Sequence, residues 1–411
     1  MPSFAVVLRP GIAFALLACV LVVAGCGSAG DALPVVVSAP VSSQPWIASS
    51  IRRGAQLAVD DLNARGGVRV GNAKRELSLL VLDNGGSPAN ALANARTAVS
   101  KGALALVTDG TGAASMAAVT DPANLPVFIC FDGGAGLIDP GRRPTLFRMA
   151  PADATLAGRL ADYIANAKPR VALLTDDSGY GQQGRAAVTA ALRKDQVPVV
   201  SDQTVQQRAA DVTPQVLAAR RAGAQTLVLW TSAADIAAVL QATHAIGWDV
   251  PVISGQTGED PLVRQRLVAH PDWLKSLRFV SSRITAEVGP KPFERFRAHY
   301  EAKLGVDKVG VSQDGRPVLQ PPDWAMYSYD ALNLVAEALD ETGALGASLM
   351  RAMGTASIVG ANGDSRGYSP TYHEGISPSD MYFARFDGFQ FEPVGDDPLS
   401  GSLPAISQLG H

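Results

Sequence analysis

The chain is predicted to be α/β, built as two doubly wound parallel-sheet lobes. Three observations predict this. Short apolar runs recur along the chain, helical patterns separate them, and the alternation occurs as two series that meet near "TLFRMAPAD" (145–153). Apolar runs without polar alternation belong to strands buried on both faces, and helical crossovers of about ten to fifteen residues are what cover those faces. With 411 residues, 47% hydrophobic and 18% charged, there is apolar material for more than one core.

Taken in order, the chain opens with Arg9, the apolar stretch "GIAFALLACVLVVAG" and Cys26. About fifteen apolar residues are too few to span a bilayer comfortably and suit the core of a signal peptide. "VAGC" (23–26) resembles a bacterial lipobox, which implies a leader over 1–25, lipidation of Cys26 and an anchor linker over 26–33. Cleavage there leaves 411 − 25 = 386 residues, exported and held on the outer side of the cytoplasmic membrane. Each buried methylene of an acyl chain contributes about 0.8 kcal/mol, so two or more chains anchor durably. Cys19 leaves with the leader and Cys26 carries lipid, so Cys130 alone remains and no intrachain disulfide forms. A formal charge of −3 without a long single-sign run argues against a nucleic-acid partner.

The first series of strands is "LPVVVSA", "LSLLVL", "ALALVT" and "PVFICF"; the second is "RVALLT", "VPVV", "TLVLW" and "PVIS". Helices are expected at 48–65, 88–101, 156–166, 182–194 and 233–245. In the first of these, Ser49 or Ser50 supplies the cap, Ile51, Ala55, Ala58 and Leu62 share one face, and Gly66-Gly67 stop the helix. A second crossing between lobes is expected near "RFVSSRI" (278–284), followed by helices at 293–304 and 325–340. Residues 360–394, rich in Gly, Ser, Pro and aromatics, read as strands and loops. The expected division is 34–150 with 285–358 in one lobe, 151–284 with 359–395 in the other, and 396–411 as a tail. Two beads on one linker is the competing layout.

Catalytic patterns are missing. There is no G-x-S-x-G elbow, phosphate loop or H-E-x-x-H helix, and the histidines at 244, 270, 299, 373 and 411 have no Cys or His at ligand spacing. Asp176 and Asp177 are adjacent at a strand end and point oppositely, which is poor geometry for a dyad. The expectation is therefore no enzyme, no cofactor and no metal.

The segments "GAQLAVDDLNARGGV", "LVLDNGGSPANALANARTAVSKGALALVTDG", "LPVFICFDGG", "LFRMAPAD", "LADYI", "VALLTDDSGYGQQG" and "LVLWTSAADIAAVLQATHAIGW" run in order over residues 34–345. In that order they resemble the type I periplasmic binding proteins of the Leu/Ile/Val-binding kind, which feed ABC transporters. The resemblance implies two lobes joined by three crossings that close on an amino acid or similar small polar solute, with ABC permease subunits as partners. Within it the turn "TDGTGAASMAAV" (108–119) gains a ligand-binding reading, in which Gly110 and Gly112 shape the turn, the helix start offers N–H groups, and Thr111 and Ser115 add hydroxyls. A partial dinucleotide fingerprint and a purely structural turn are the other two readings of the same stretch.

Other site positions are likewise implied by the resemblance. Trp46 matches the aromatic before the first helix, and Tyr180 the second-lobe tyrosine that closes over the ligand. Cys130, Asp132 and Gly133 follow the strand whose end contacts the ligand; Asp132 could pair with an ammonium or simply cap a helix. Gln256 stands where the amino-acid binders have glutamate, and Trp230 and Ser232 fall near the family's other tyrosine. The missing glutamate leaves room for an amide, urea-like or other neutral solute. Two alternatives remain: a ligand-sensing receptor domain of the same fold, and an exported α/β hydrolase.

Overall fold

Leu33–Ala39 (β1) is buried on both faces, with Val35 and Val37 in one core and Val36 in another. After it come α1 (Pro45–Ala64), a hairpin of β2 (Val68–Val70) and β3 (Ala73–Arg75), β4 (Leu77–Asp83), α2 (Pro88–Ser100), β5 (Ala105–Thr108), α3 (Ala113–Ala123), β6 (Val127–Ile129) and β7 (Leu146–Arg148). The strands form one parallel sheet in the order β4-β1-β5-β6-β7, with Val36 opposite Leu80 on one side and Leu106 on the other. The computed structural model describes residues 32–394 except 166, 282–290, 312–314, 321, 323 and 378–380. The expected leader, Cys26, most of the anchor linker, the tail 396–411 and the 284/285 boundary lie outside the described residues.

The second half repeats the winding. It contains α4 (Asp153–Ala165), β8 (Val171–Asp176), α5 (Gly179–Lys194), β9 (Val199–Val205), α6 (Thr213–Arg221), β10 (Thr226–Trp230), α7 (Ala233–Ala245), β11 (Val252–Ser254), α8 (Pro261–Arg266) and β12 (Leu277–Ser281). The chain then forms α9 (Lys291–Leu304), a hairpin of β13 (Asp307–Val311) and β14 (Pro317–Gln320), α10 (Ala325–Thr342), α11 (Ala347–Ala352) and a hairpin of β15 (Ser357–Val359) and β16 (Ser365–Gly367). It closes with β17 (Tyr382–Asp387) and β18 (Gln390–Pro393). The second sheet runs β18-β17-β12-β11-β10-β8-β9, parallel from β9 to β12 and antiparallel at its last two strands.

The return of α9 and α10 to the first lobe makes the layout one of multiple crossings rather than two beads. α10 packs along α1, and Gly54 makes this approach possible: a Cβ there would lie 2.0 Å from the Ala325 carbonyl oxygen. The hairpin of β15 and β16 also rests on α10, and Glu374 pairs through its backbone with Arg148 at the end of β7. Past the expected 358/359 boundary the chain thus still touches first-lobe elements, through β16 on α10 and Glu374 beside β7. One core cluster is continuous between the lobes, from Val35 and Phe147 through Leu156 to Leu173 and Ile253. Separate cores fill the outer faces of the two sheets.

The first helix begins a turn earlier than expected. Pro45 occupies its start, where a fixed φ and a missing N–H cost nothing, so Ser49 and Ser50 lie inside the helix rather than capping it. Ile51, Ala55, Ala58 and Leu62 are buried as the spacing requires, and Gly66 and Gly67 follow at φ +90° and +84°.

Candidate functional site

In each sheet the chain winds first one way and then the other, reversing beside β1 in the first lobe and beside β8 in the second. Loops at the carboxyl ends of the strands diverge at such a point and leave a crevice. A cavity of about 330 Å³ lies there, lined by both lobes. Ser43 to Ile47 follow β1 and Phe131 follows β6; Asp176 ends β8 with Ser178 and Tyr180 after it, and Arg208, Ser232, Thr257 and Asp260 come after β9, β10 and β11.

Three helix starts line the cavity. α1 begins without a side-chain cap, leaving its first N–H groups to other acceptors. α5 is capped by the Ser178 hydroxyl, which accepts from Gly181 N at 3.1 Å, and α7 by the Ser232 hydroxyl, which accepts from Asp235 N at 3.3 Å. Asp176 ties the last two starts together, with Oδ2 accepting from Ser232 N at 2.9 Å and Oδ1 accepting from both the backbone and the hydroxyl of Ser178. Helix dipoles aimed at one space favour an anionic group there.

Aromatic rings form the apolar wall. The Phe131 ring centroid lies 6.4 Å from that of Tyr180 across the lobes and 5.4 Å from that of Trp324, at the start of α10. Trp324 Nε1 donates to Glu259 Oε1 at 3.1 Å. Burial holds the Tyr180 hydroxyl well above its ordinary pKa, so it stays neutral. Two further contacts bridge the lobes: Gln256 Nε2 donates to the Phe131 carbonyl at 3.4 Å, and Arg208 Nη2 reaches the Ser43 carbonyl at 3.5 Å. Arg208 has a left-handed backbone, φ 59°, held by its N–H donating to Asp235 Oδ1 at 2.9 Å. Asp260 is 8% exposed, and its Oδ1 accepts from Leu262 N at 2.8 Å; burial raises its pKa to about 6, against that cap bond and the Arg264 charge.

A second polar group sits at the first crossing. Arg148 is buried and donates to the Gly133 and Gly134 carbonyls at 2.9 and 2.8 Å, with Glu374 Oε2 3.5 Å from its Nε. Asp153 is 2% exposed and neither carboxylate oxygen has a hydrogen bond. Burial first, and the Asp132 charge second, raise it to about 7, with Arg148 opposing. Burial also raises Asp132.

Of the positions expected from sequence, Trp46, Tyr180 and Ser232 share the cavity. Thr111, Ser115, Cys130, Asp132, Gly133, Trp230 and Gln256 are not among its lining residues. The Thr111 hydroxyl donates to Asp109 Oδ2, whose other oxygen accepts from Asn84 at 2.7 Å, so the glycine turn is occupied with its own lobe. Ser115 is exposed on α3. Cys130 is buried, and desolvation pushes its thiol far above its ordinary pKa. Trp230 lies behind Tyr180, packed so closely on Gly184 that a Cβ there would be 1.9 Å from the indole. Gln256 is 1% exposed and spends its amide on Phe131. Phe131, Arg208, Thr257 and Asp260 were not singled out by sequence. Asp260 carried a usable signal, an Asp directly before Pro261, which is a helix-start pattern. Among the described residues no cluster of His, Cys, Asp or Glu could hold a metal, and no helix is long and apolar enough to cross a membrane.

A family model described as "Periplasmic binding protein" matches residues 35–390. No curated protein matches the chain. Among solved structures, a periplasmic binding protein type 1 from Bordetella pertussis Tohama I gives a TM-score of 0.75 at 19% identity, covering 89% of this chain and 100% of that one. The branched-chain amino acid transporter substrate-binding protein LivJ from Streptococcus pneumoniae, in complex with isoleucine, gives 0.73 at 19% identity, covering 88% and 98%. A solute-binding protein of an ABC transporter from Rhodopseudomonas palustris BisB5, in complex with 3,4-dihydroxybenzoic acid, gives 0.70 at 20% identity, covering 90% and 99%.

Proposed function

The chain belongs to the periplasmic binding protein family, and from that premise we propose that it is the extracytoplasmic solute-binding component of an ABC importer. In this reading it is lipid-anchored through Cys26 and captures an amino acid or similar small polar solute by closing two lobes on it. One observation carries the reading: a single cavity lined by both lobes where three helix starts and the rings of Trp46, Phe131 and Tyr180 converge. The helix starts of α1, α5 and α7 suit a carboxylate, and the rings suit an apolar body. The ligands of the two similar proteins, isoleucine and 3,4-dihydroxybenzoic acid, are both carboxylic acids, which supports the same pairing.

Closure follows from differential contact. A solute touching Trp46 and Tyr180 together stabilises only the arrangement that brings them to one space, and the population shifts by that difference in affinity. The closed pair of lobes is then what permease subunits engage. A thermal-shift screen of the purified protein against amino acids, other small carboxylic acids, amides, polyamines and sugars tests the reading. A rise in melting temperature confined to small carboxylates is the expected result; sugars or polyamines as sole hits would overturn it.

A further inference from the structure

Three charged side chains line the cavity among the described residues, and two of them are engaged within their own lobe. Asp176 gives both oxygens to the starts of α5 and α7. Asp260 caps α8 by accepting from Leu262 N, and the Arg264 charge acts on it. Arg208 differs. Its side chain is exposed, and its contact among the described residues is one long hydrogen bond to the Ser43 carbonyl of the opposite lobe, at 3.5 Å, out of the five N–H donors that a guanidinium carries. The backbone is what holds Arg208 in place, through its N–H donating to the buried Asp235 at 2.9 Å.

What Arg208 reaches is the start of α1. That helix begins at Pro45 without a side-chain cap, so the N–H groups of its first turn are open to an acceptor from outside the helix. Ser43 lines the cavity beside them, and its hydroxyl is buried without a hydrogen-bond partner. A buried hydroxyl in that state is costly and calls for an acceptor or donor that the folded chain does not supply. Hydrogen-bond donors from both lobes therefore meet at one end of the cavity: a guanidinium from the second, and a helix start and a hydroxyl from the first.

We propose that Arg208 and the start of α1 form a carboxylate clamp across the two lobes, in which Arg208 is the residue that selects anionic solutes. The inference deepens the solute-binding reading above and rests on it. A carboxylate offers two oxygens, which match the paired donors of a guanidinium, and its charge is favoured at the positive end of the α1 dipole. The Ser43 hydroxyl gains its partner in the same step. Because each lobe holds one half of the clamp, the anion makes its full set of hydrogen bonds only when the lobes are closed, so the carboxylate rather than the apolar body drives closure. A primary amide of the same shape turns an NH2 group toward a site made of donors and is rejected for that reason.

The test uses calorimetry on acids and their primary amides: benzoate against benzamide, 3-phenylpropanoate against 3-phenylpropanamide, and leucine against leucinamide. Wild-type protein is expected to prefer the acid of a binding pair by tenfold or more. R208N removes the guanidinium but keeps the N–H that Asp235 holds, and asparagine tolerates the left-handed backbone at this position, so the variant keeps its fold. It is expected to bring the ratio close to one by weakening the acid alone, whereas R208K, which retains the charge and loses the paired donors, keeps part of the preference. Amides binding as tightly as their acids, or R208N weakening both members equally, would overturn the clamp and leave the solute-binding reading standing. Absence of binding by every pair would overturn the clamp too, and sugars or polyamines as sole hits of the wider screen would overturn the reading itself.

Discussion

Trp46 and Tyr180 come from different lobes yet face one space, and each presents a ring rather than a charge. Truncating either to alanine removes apolar contact of the kind that costs binding roughly 1–3 kcal/mol. Trp46→Ala and Tyr180→Ala are each expected to weaken the best ligand of the screen by that amount in calorimetry; wild-type affinity in both would remove the cavity from consideration. Asp153 makes a separate prediction about stability. Its folded pKa is about 7 against an ordinary 3.8, so the folded protein holds a proton that the unfolded chain releases over that window. The contribution is therefore complete below about pH 4 and is lost as pH rises through about 7. Asp153→Asn removes this titration, and urea unfolding should find the variant gaining on the parent from pH 4 to pH 8 by up to about 4 kcal/mol. A pH-independent difference would show that the carboxyl is solvated.

At the scale of elements, the strands were legible because burial on both faces leaves a continuous apolar run, and β1, β8 and β10 fall where those runs occur. Helix starts were less so. "SS" before an apolar face has the look of a cap, but Pro45 recruits an earlier turn, and this brings Trp46 into the helix that borders the cavity. Packing of α1 against α10 joins segments far apart in the chain, Gly54 and Ala325 lying 325 − 54 = 271 positions apart, and has no local signal beyond a glycine in a helix. Gly54→Ala tests it, because two effects oppose. Alanine favours a helix by about 1 kcal/mol, whereas its Cβ would meet the Ala325 carbonyl at 2.0 Å, and overpacking of that kind costs about 1–3 kcal/mol. Net destabilisation in thermal unfolding is expected; a more stable variant would mean that the two helices separate freely.

For the whole molecule, the lobes meet through one continuous core cluster and a set of cross-lobe polar contacts. The cross-lobe hydrogen bonds Gln256–Phe131 and Arg208–Ser43 are long, at 3.4 and 3.5 Å, and Trp324–Glu259 is of ordinary length at 3.1 Å; each contributes about 0.5–1.5 kcal/mol net, so a ligand touching both lobes can shift their spacing. Small-angle scattering should accordingly show a smaller radius of gyration on adding a ligand that raises the melting temperature; an unchanged radius would argue for a rigid cleft. Sequence by itself determined the α/β class and the repeated winding, because apolar periodicity is a local property of the chain; Trp46 and Tyr180 were singled out only through the family resemblance, and both border the cavity. Only the tertiary structure shows that the Thr111 hydroxyl of the glycine turn donates to Asp109 and that Phe131, Arg208 and Asp260 border the cavity. Those facts depend on which loops two separately wound sheets bring face to face, and no local pattern encodes a neighbour from the other lobe.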